Sequence, residues 1–254
     1  MKRLRGQGGG LFSALSLALA AAACSPAGAP PTEKGGRQDE AGYLSPPTVD
    51  QVASGGRLQG GATPGARVRL ASPGGAELTT AADGSGRWSL EVPGAGTARV
   101  FGLSQSVQGR TLQAEGYVFI APDGRGWLLR AGGAARPLGP AGGLIIDYDR
   151  SGGTVVSGAG PADVLLVAQL NGVRAGEGRA DASGRFEIRL NGPVPMGESR
   201  LRVFGEALNL ETRLRLSPPA PPDAGPVRFQ DAADGLRIDW MTPGGGVQTT
   251  QILR

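Results

Sequence analysis

The sequence predicts an all-β protein built from two similar sandwiches, and three observations predict it. Glycine and proline make up 45 and 20 of the 254 residues and punctuate the chain throughout, while helix-forming runs are missing. Several segments alternate apolar and polar side chains with period two. Trp88, Leu90 and Val92 interleave with Arg87, Ser89 and Glu91, and Phe186, Ile188 and Leu190 interleave with Arg185, Glu187 and Arg189. The chain also repeats itself: Asp83-Gly-Ser-Gly-Arg-Trp88 matches Asp181-Ala-Ser-Gly-Arg-Phe186 at an offset of 98 residues, and Arg99-Val-Phe-Gly102 matches Arg202-Val-Phe-Gly205 at 103.

The elements follow in order. Residues 1–23 carry Lys2, Arg3 and Arg5, then the apolar Leu11–Leu19, then Ala20–Ala23. That run is short for a membrane span, which needs about 20 apolar residues, and with its basic flank and small-residue end it reads as an export signal. Cys24, the only cysteine, follows directly. Residues 24–48 hold proline, glycine and charge with almost no large apolar side chain, so they cannot bury enough surface to offset their ordering entropy. They read as a disordered tether of roughly 25–30 Å. Residues 49–140 form the first module and 141–254 the second, with the boundary after Leu138-Gly139-Pro140. Each repeat is followed by an expected hairpin, one around Asp123-Gly124 in GYVFIAPDGRGWLL and one around Asp234-Gly235 in VRFQDAADGLRIDW. The terminal TPGGGVQTTQILR reads as a turn and a closing strand.

Two resemblances add to this reading. Ala21-Ala22-Ala23-Cys24 resembles the lipobox of bacterial lipoproteins, with Ala21 where Leu is usual. That resemblance implies that Cys24 is lipidated and becomes the first residue of the mature chain, through a diacylglyceryl thioether and an N-acyl group. More than one acyl chain makes a stable anchor. Ser25 after the cysteine points to the outer membrane of a Gram-negative envelope, with the periplasmic or surface face left open. The same alanines also fit an A-x-A cleavage site of ordinary secretion, which would leave Cys24 an unpaired thiol. The second resemblance is in the repeats. GATPGARVRL with AADGSGRW, and SGAGPADVLLV with ADASGRF, resemble bacterial immunoglobulin-like repeats of cell-surface proteins, and also the carboxypeptidase-regulatory-like, transthyretin-type sandwich. In both families Asp and Gly build the turn and the aromatic that follows enters the core. The resemblance covers residues 52–105 and 152–217 and implies a fold, not an activity.

Composition narrows the function classes. Three of the 26 basic residues lie in the signal and none of the 22 acidic ones does, so the mature chain carries a net charge of +1 and no basic track for nucleic acid. Histidine is absent, which removes the commonest general acid/base and metal ligand. With Cys24 lipidated, no Ser-His, Cys-His or zinc constellation can be built. No catalytic residue, metal site or cofactor is expected.

Three groups of residues remain to be weighed. Asp83 and Asp181 offer one carboxylate per turn, where calcium needs six to eight oxygens, so turn-building is the better account. Asp147 and Asp149 share one face of a strand and could in principle act as paired carboxylates, but the solvated face of a strand with Ile146 and Tyr148 behind it is the better account. Tyr117, Trp127, Tyr148 and Trp240 lie on or beside the hairpins and are the candidate binding aromatics, for a sugar ring or a protein partner, unless they pack on their own sandwiches. The expected function is that of a non-catalytic, membrane-anchored envelope lipoprotein that acts as a structural or protein-interaction module. A glycan- or peptidoglycan-binding lipoprotein using the aromatics is the alternative, and a carboxylate-based enzyme is a distant third.

Overall fold

Each repeat folds into the same seven strands, because each alternating segment has one apolar face to bury and a glycine-rich turn to reverse it. The computed structural model describes residues 44–53, 56–93, 96–140, 142–232 and 234–254. The expected export signal, Cys24 and residues 25–43 of the expected tether lie outside the described residues, as does Ala141 at the expected boundary. Residues 44–48, read from the sequence as tether, belong to the fold: Pro47 is buried, the Gln105 amide donates to the Ser45 carbonyl at 2.7 Å, and Thr48 begins the first strand.

In the first module β1 (Thr48–Ala53), β2 (Arg57–Gly61) and β5 (Arg87–Glu91) form sheet A in the order β1-β2-β5. β3 (Arg67–Ala71), β4 (Glu77–Ala81), β6 (Arg99–Val107) and β7 (Arg110–Ile120) form sheet B, extended by β8 (Gly126–Leu129) and β9 (Arg136–Pro137), in the order β4-β3-β6-β7-β8-β9. The second module repeats the pattern. β10 (Ile145–Asp149), β11 (Thr154–Ala159) and β14 (Arg185–Arg189) lie in sheet C. β12 (Leu165–Leu170), β13 (Val173–Arg179), β15 (Gly197–Gly205) and β16 (Leu208–Leu216) form sheet D in the order β13-β12-β15-β16. The last strands, β17 (Val227–Ala232), β18 (Gly235–Met241) and β19 (Val247–Leu253), join sheet C beside β10, giving β14-β11-β10-β19-β18-β17. All pairings among the described strands are antiparallel. Three strands facing four in this order make a sandwich of the immunoglobulin and fibronectin-III kind.

The repeated turns have a common device. Asp83 Oδ1 accepts from the Ser85 amide (2.8 Å), the Ser85 hydroxyl (2.7 Å) and the Arg87 amide (2.9 Å). Asp181 does the same with Ser183 and Arg185. Asp149 is a third copy, accepting from the Ser151 amide and hydroxyl and the Gly153 amide. These hydrogen bonds favour the ionised carboxylate, and the serine hydroxyls, followed by the arginine amides, hold Asp83 and Asp181 below the ordinary carboxyl value. Gly86 and Gly184 complete their turns at φ 80° and 76°, where a side chain would be strained.

Three apolar cores follow from which way alternate residues point. Sheets A and B enclose the first, with Leu58, Trp88, Leu103 and Val118. Sheets C and D enclose another, with Ile146, Phe186, Ile188 and Leu201. The third lies between sheets B and C: Phe119, Trp127 and Leu129 from the first module meet Ile145, Leu236, Ile238, Trp240 and Ile252 from the second. The sheets are thus layered A, B, C, D, and residues 44–254 form one compact unit.

Candidate functional site: the seam between the sandwiches

The seam is built by strands buried on both faces. In β10, Ile145 faces sheet B while Ile146 faces sheet D; in β19, Ile252 and Leu253 divide in the same way. In β7, Phe119 enters the seam while Val118 and Ile120 enter the first module's own core. Near-continuous apolar runs such as Tyr117–Ala121 and Trp127–Leu129 are what two buried faces require.

The candidate aromatics are where this burial is greatest. Trp127, Tyr148 and Trp240 are only 4%, 2% and 1% exposed. Tyr117 is half-buried, edge-on to Trp240 with ring centroids 6.0 Å apart, and Phe119 lies 5.7 Å from Phe229 across the same seam. The structure therefore brings Tyr117, Trp127 and Trp240 together and corrects their expected role. Their rings join the two modules, with Trp127 and Trp240 buried and Tyr117 half-buried. The first hairpin packs on its own sandwich through Val118, Ile120 and Leu128, but its aromatics Phe119 and Trp127 meet Trp240 of the second hairpin instead. Tyr148 is apart from the group, on the opposite face of sheet C. Its hydroxyl donates to the Ser217 carbonyl at 2.9 Å and accepts from Arg237 at 2.9 Å, and burial raises its pKa.

The seam has a polar end. Asp147, Gln248 and Thr250 continue the face of Ile145 and Ile252, and Asp147 is paired across the ladder with Thr250. The Thr250 hydroxyl donates to Asp147 Oδ1 at 2.5 Å, and the Trp240 indole donates to that hydroxyl at 3.4 Å. Asp147 Oδ2 accepts from the Ala135 amide at 2.7 Å, which belongs to the first module. Gln248 bridges the modules as well: its amide nitrogen donates to the carbonyls of Arg130 (3.1 Å) and Gly133 (3.3 Å) and to Asp147 (3.3 Å), and its oxygen accepts from the Gly132 amide at 2.8 Å. At the rim Arg130 pairs with Glu187 at 2.9 Å, and Arg189 donates to the Gly132 carbonyl at 3.1 Å. Burial pushes the Asp147 carboxyl up to about 7, against the opposing pull of Thr250, Ala135 and Gln248.

This corrects the expectation of a solvated carboxylate face. Asp147 is buried in the seam, held by Thr250 and the Ala135 amide, whereas Asp149 is held within its own turn. Sequence reasoning misses a second buried carboxylate, Asp239. It lies on the other face of sheet C, where Arg237 (2.8 Å), Arg228 (2.7 Å) and Thr249 (2.5 Å) surround it. Burial by itself would raise its pKa, but Arg237, Thr249 and Arg228 together hold it below its ordinary value. Arg237 also donates to the carbonyls of Ser217 and Pro218, tying the proline-rich segment after β16 onto the sheet. The sequence signal for both networks is Gln248-Thr-Thr-Gln251, four polar residues in one strand, all buried. Among the described residues no group of three or more acidic, histidine or cysteine side chains is placed to hold a metal ion.

No protein-family model matches the sequence. No curated protein matches it either. Among solved structures it is similar to a biofilm associated protein BSP domain, with 11% identity and a TM-score of 0.25 over 70% of this chain and 30% of that one. It is also similar to the central fibronectin-III array of RIM-binding protein, with 14% identity and a TM-score of 0.25 over 78% of this chain and 79% of that one. The chain spans under a third of the first neighbour's length.

Proposed function

We propose that this chain is a non-catalytic lipoprotein of the bacterial envelope, a structural or interaction module anchored through Cys24. One observation carries the non-catalytic part. The side chains best suited to chemistry or ligand stacking (Asp147, Asp239, Tyr148, Trp127 and Trp240) are buried and used to hold sheets together. What this leaves is a layered body that meets partners through its outer surface and the concavities in it. The anchoring part rests on the lipobox-like Ala21–Cys24 and the tether that follows it. Each buried lipid methylene contributes about 0.8 kcal/mol, so two or more chains suffice for stable attachment.

The test is metabolic labelling with a fatty-acid analogue in a bacterial host. The natural chain is expected to carry label and to fractionate with membranes, and Cys24→Ser to lose both. Label that persists in Cys24→Ser, or none on the natural chain, would show the lipid reading to be wrong.

A further inference from the structure

The outer face of sheet D ends the stack, and it is unlike the seam. Six arginines point from it, Arg174, Arg179, Arg200, Arg202, Arg213 and Arg215, against three glutamates, Glu177, Glu198 and Glu211. Three exposed ion pairs form, Arg174 with Glu177, Arg200 with Glu211 at 3.4 Å, and Arg215 with Glu198. An excess of three positive charges remains, on a chain whose mature net charge is only +1.

By these pairings the excess falls on Arg179, Arg202 and Arg213, and the last two flank the paired Arg200. Arg200 and Arg213 are direct cross-strand partners on β15 and β16, an arrangement of like charges that weakens a sheet. Arg202 is next on the same face, its guanidinium held 4.6 Å over the Phe204 ring and bonded to Asn209 at 2.8 Å. The Asn171-Gly172 turn closes one side, with φ of 51° and 84°. Asn171 Oδ1 accepts from the Arg200 backbone amide at 2.8 Å, which leaves its NH2 group as a donor. Together Gln169, Asn171, Gly172, Arg200, Arg202 and Glu211 line a concavity of about 430 Å³, a size within the range of small-ligand sites.

We propose that the outer face of sheet D binds an acidic polysaccharide, with this concavity taking one carboxylate-bearing sugar residue. Guanidinium groups pair with a carboxylate in two parallel hydrogen bonds. The amides of Gln169 and Asn171 and the carboxylate of Glu211 suit the hydroxyls of the same ring. Arg200 is shared there with Glu211, and Arg213, its cross-strand partner, adds positive charge beside the concavity. An anionic lipid surface selects clusters of basic residues and has no use for interleaved glutamates and amides, so the mixed chemistry favours the sugar. The proposal does not depend on the lipid anchor.

The test is calorimetric titration of the purified full chain with oligogalacturonate, a neutral cello-oligosaccharide of equal length, and phosphatidylglycerol vesicles. Oligogalacturonate is expected to bind, more weakly as salt rises, and the neutral sugar and the vesicles are not. Arg200→Gln with Arg202→Gln is expected to weaken binding about tenfold or more, since charge-assisted hydrogen bonds are lost. Arg57→Gln, on the outer face of sheet A, is expected to leave it unchanged. If the double variant unfolds, Arg213→Gln replaces it, with a loss of about threefold expected for one remote charge. Absence of oligogalacturonate binding, equal binding of the neutral sugar, capture by vesicles instead, or insensitivity to these arginines overturns the proposal.

Discussion

Sheets B and D hold the same place in the two repeats, yet the outer face of one is partly sealed and that of the other is open. Up to the end of the seventh strand the two correspond at an offset of 98, so the Arg-Val-Phe-Gly match at 103 is not a structural one: Phe101 enters the first core near the start of β6, whereas Phe204 lies on the outer face near the end of β15. β7 and β16 both alternate inward apolar and outward polar residues, and Tyr117 stands 98 positions before Arg215, each on the outer face. Then they part. β7 runs on through Val118-Phe119-Ile120 into the Asp123-Gly124 turn and adds β8 to its own sheet. β16 stops at Leu216, before Ser217-Pro218-Pro219-Ala220-Pro221-Pro222, because proline lacks the donor that a ladder needs. The chain crosses instead to sheet C and places β17–β19 beside β10. The first module thus extends the four-stranded side and the second extends the three-stranded side, and the two extensions face each other. A few residues after a duplicated sandwich decide whether its outer face becomes an interface or a surface.

Four sets of substitutions would break or sharpen this comparison. Trp240→Ala removes one of the two indole rings in the seam and the donor to Thr250, and is expected to cost about 3–5 kcal/mol in denaturant unfolding. It should also split one cooperative transition into two, one for each sandwich. A single transition with little change would mean that the sandwiches do not depend on the seam.

Next come the glycines beneath the core aromatics. A methyl group on Gly60 would lie 1.9 Å from the Thr48 carbonyl oxygen, whereas the nearest neighbour of one on Gly158 would be the Phe186 ring at 2.9 Å. Backbone cannot yield as a ring can, so Gly60→Ala is expected to cost about 2–3 kcal/mol and Gly158→Ala about 1–2 kcal/mol. Equal losses would mean that the two sandwiches accommodate strain alike.

Asp147→Asn tests the polar end of the seam. An acid whose pKa is raised in the native state, here from 3.8 to about 7, favours the fold fully below the lower value and loses that contribution as pH rises through the higher one. Asparagine has no such proton to lose. The melting temperature of the variant relative to the natural chain is therefore expected to rise by several degrees from pH 4 to pH 7.5 and then level off. A flat difference would place Asp147 in contact with water.

The smallest effects belong to the duplicated turns. Asp83→Ala and Asp181→Ala each remove the same three hydrogen bonds at an exposed loop. Small and matching decreases in melting temperature are expected, vanishing as pH falls below 3.8, since both carboxyls are held below that value. Unequal decreases would show that the turns are not equivalent.

Much of this architecture is legible in the residues. Alternation at Trp88–Val92 and Phe186–Leu190 marks the strands, Asp-Gly marks both hairpins, and the repeated Asp-x-Ser-Gly marks the turns, because each rests on chemistry within a few residues of itself. The site is less legible. Asp147 and Asp149 look alike in sequence, two apart on one strand, but one is sealed under the Ala135 amide and the other is in a solvent-facing turn. Tyr117, Trp127 and Trp240 stand out in the sequence beside the hairpins, but nothing there pairs them with one another.

The sequence by itself determined the all-β class, the two repeats, and the turn and hairpin positions, because period-two burial and glycine-dependent turns are local rules. Only the tertiary structure decided that sheets B and C bury each other, that the hairpin aromatics form a third core, and that sheet D is left as the exposed charged face. Those outcomes depend on contacts between strands more than a hundred residues apart, such as Gln248 with Arg130 and Trp240 with Tyr117, and no local pattern specifies which of two apolar faces will be covered by which sheet.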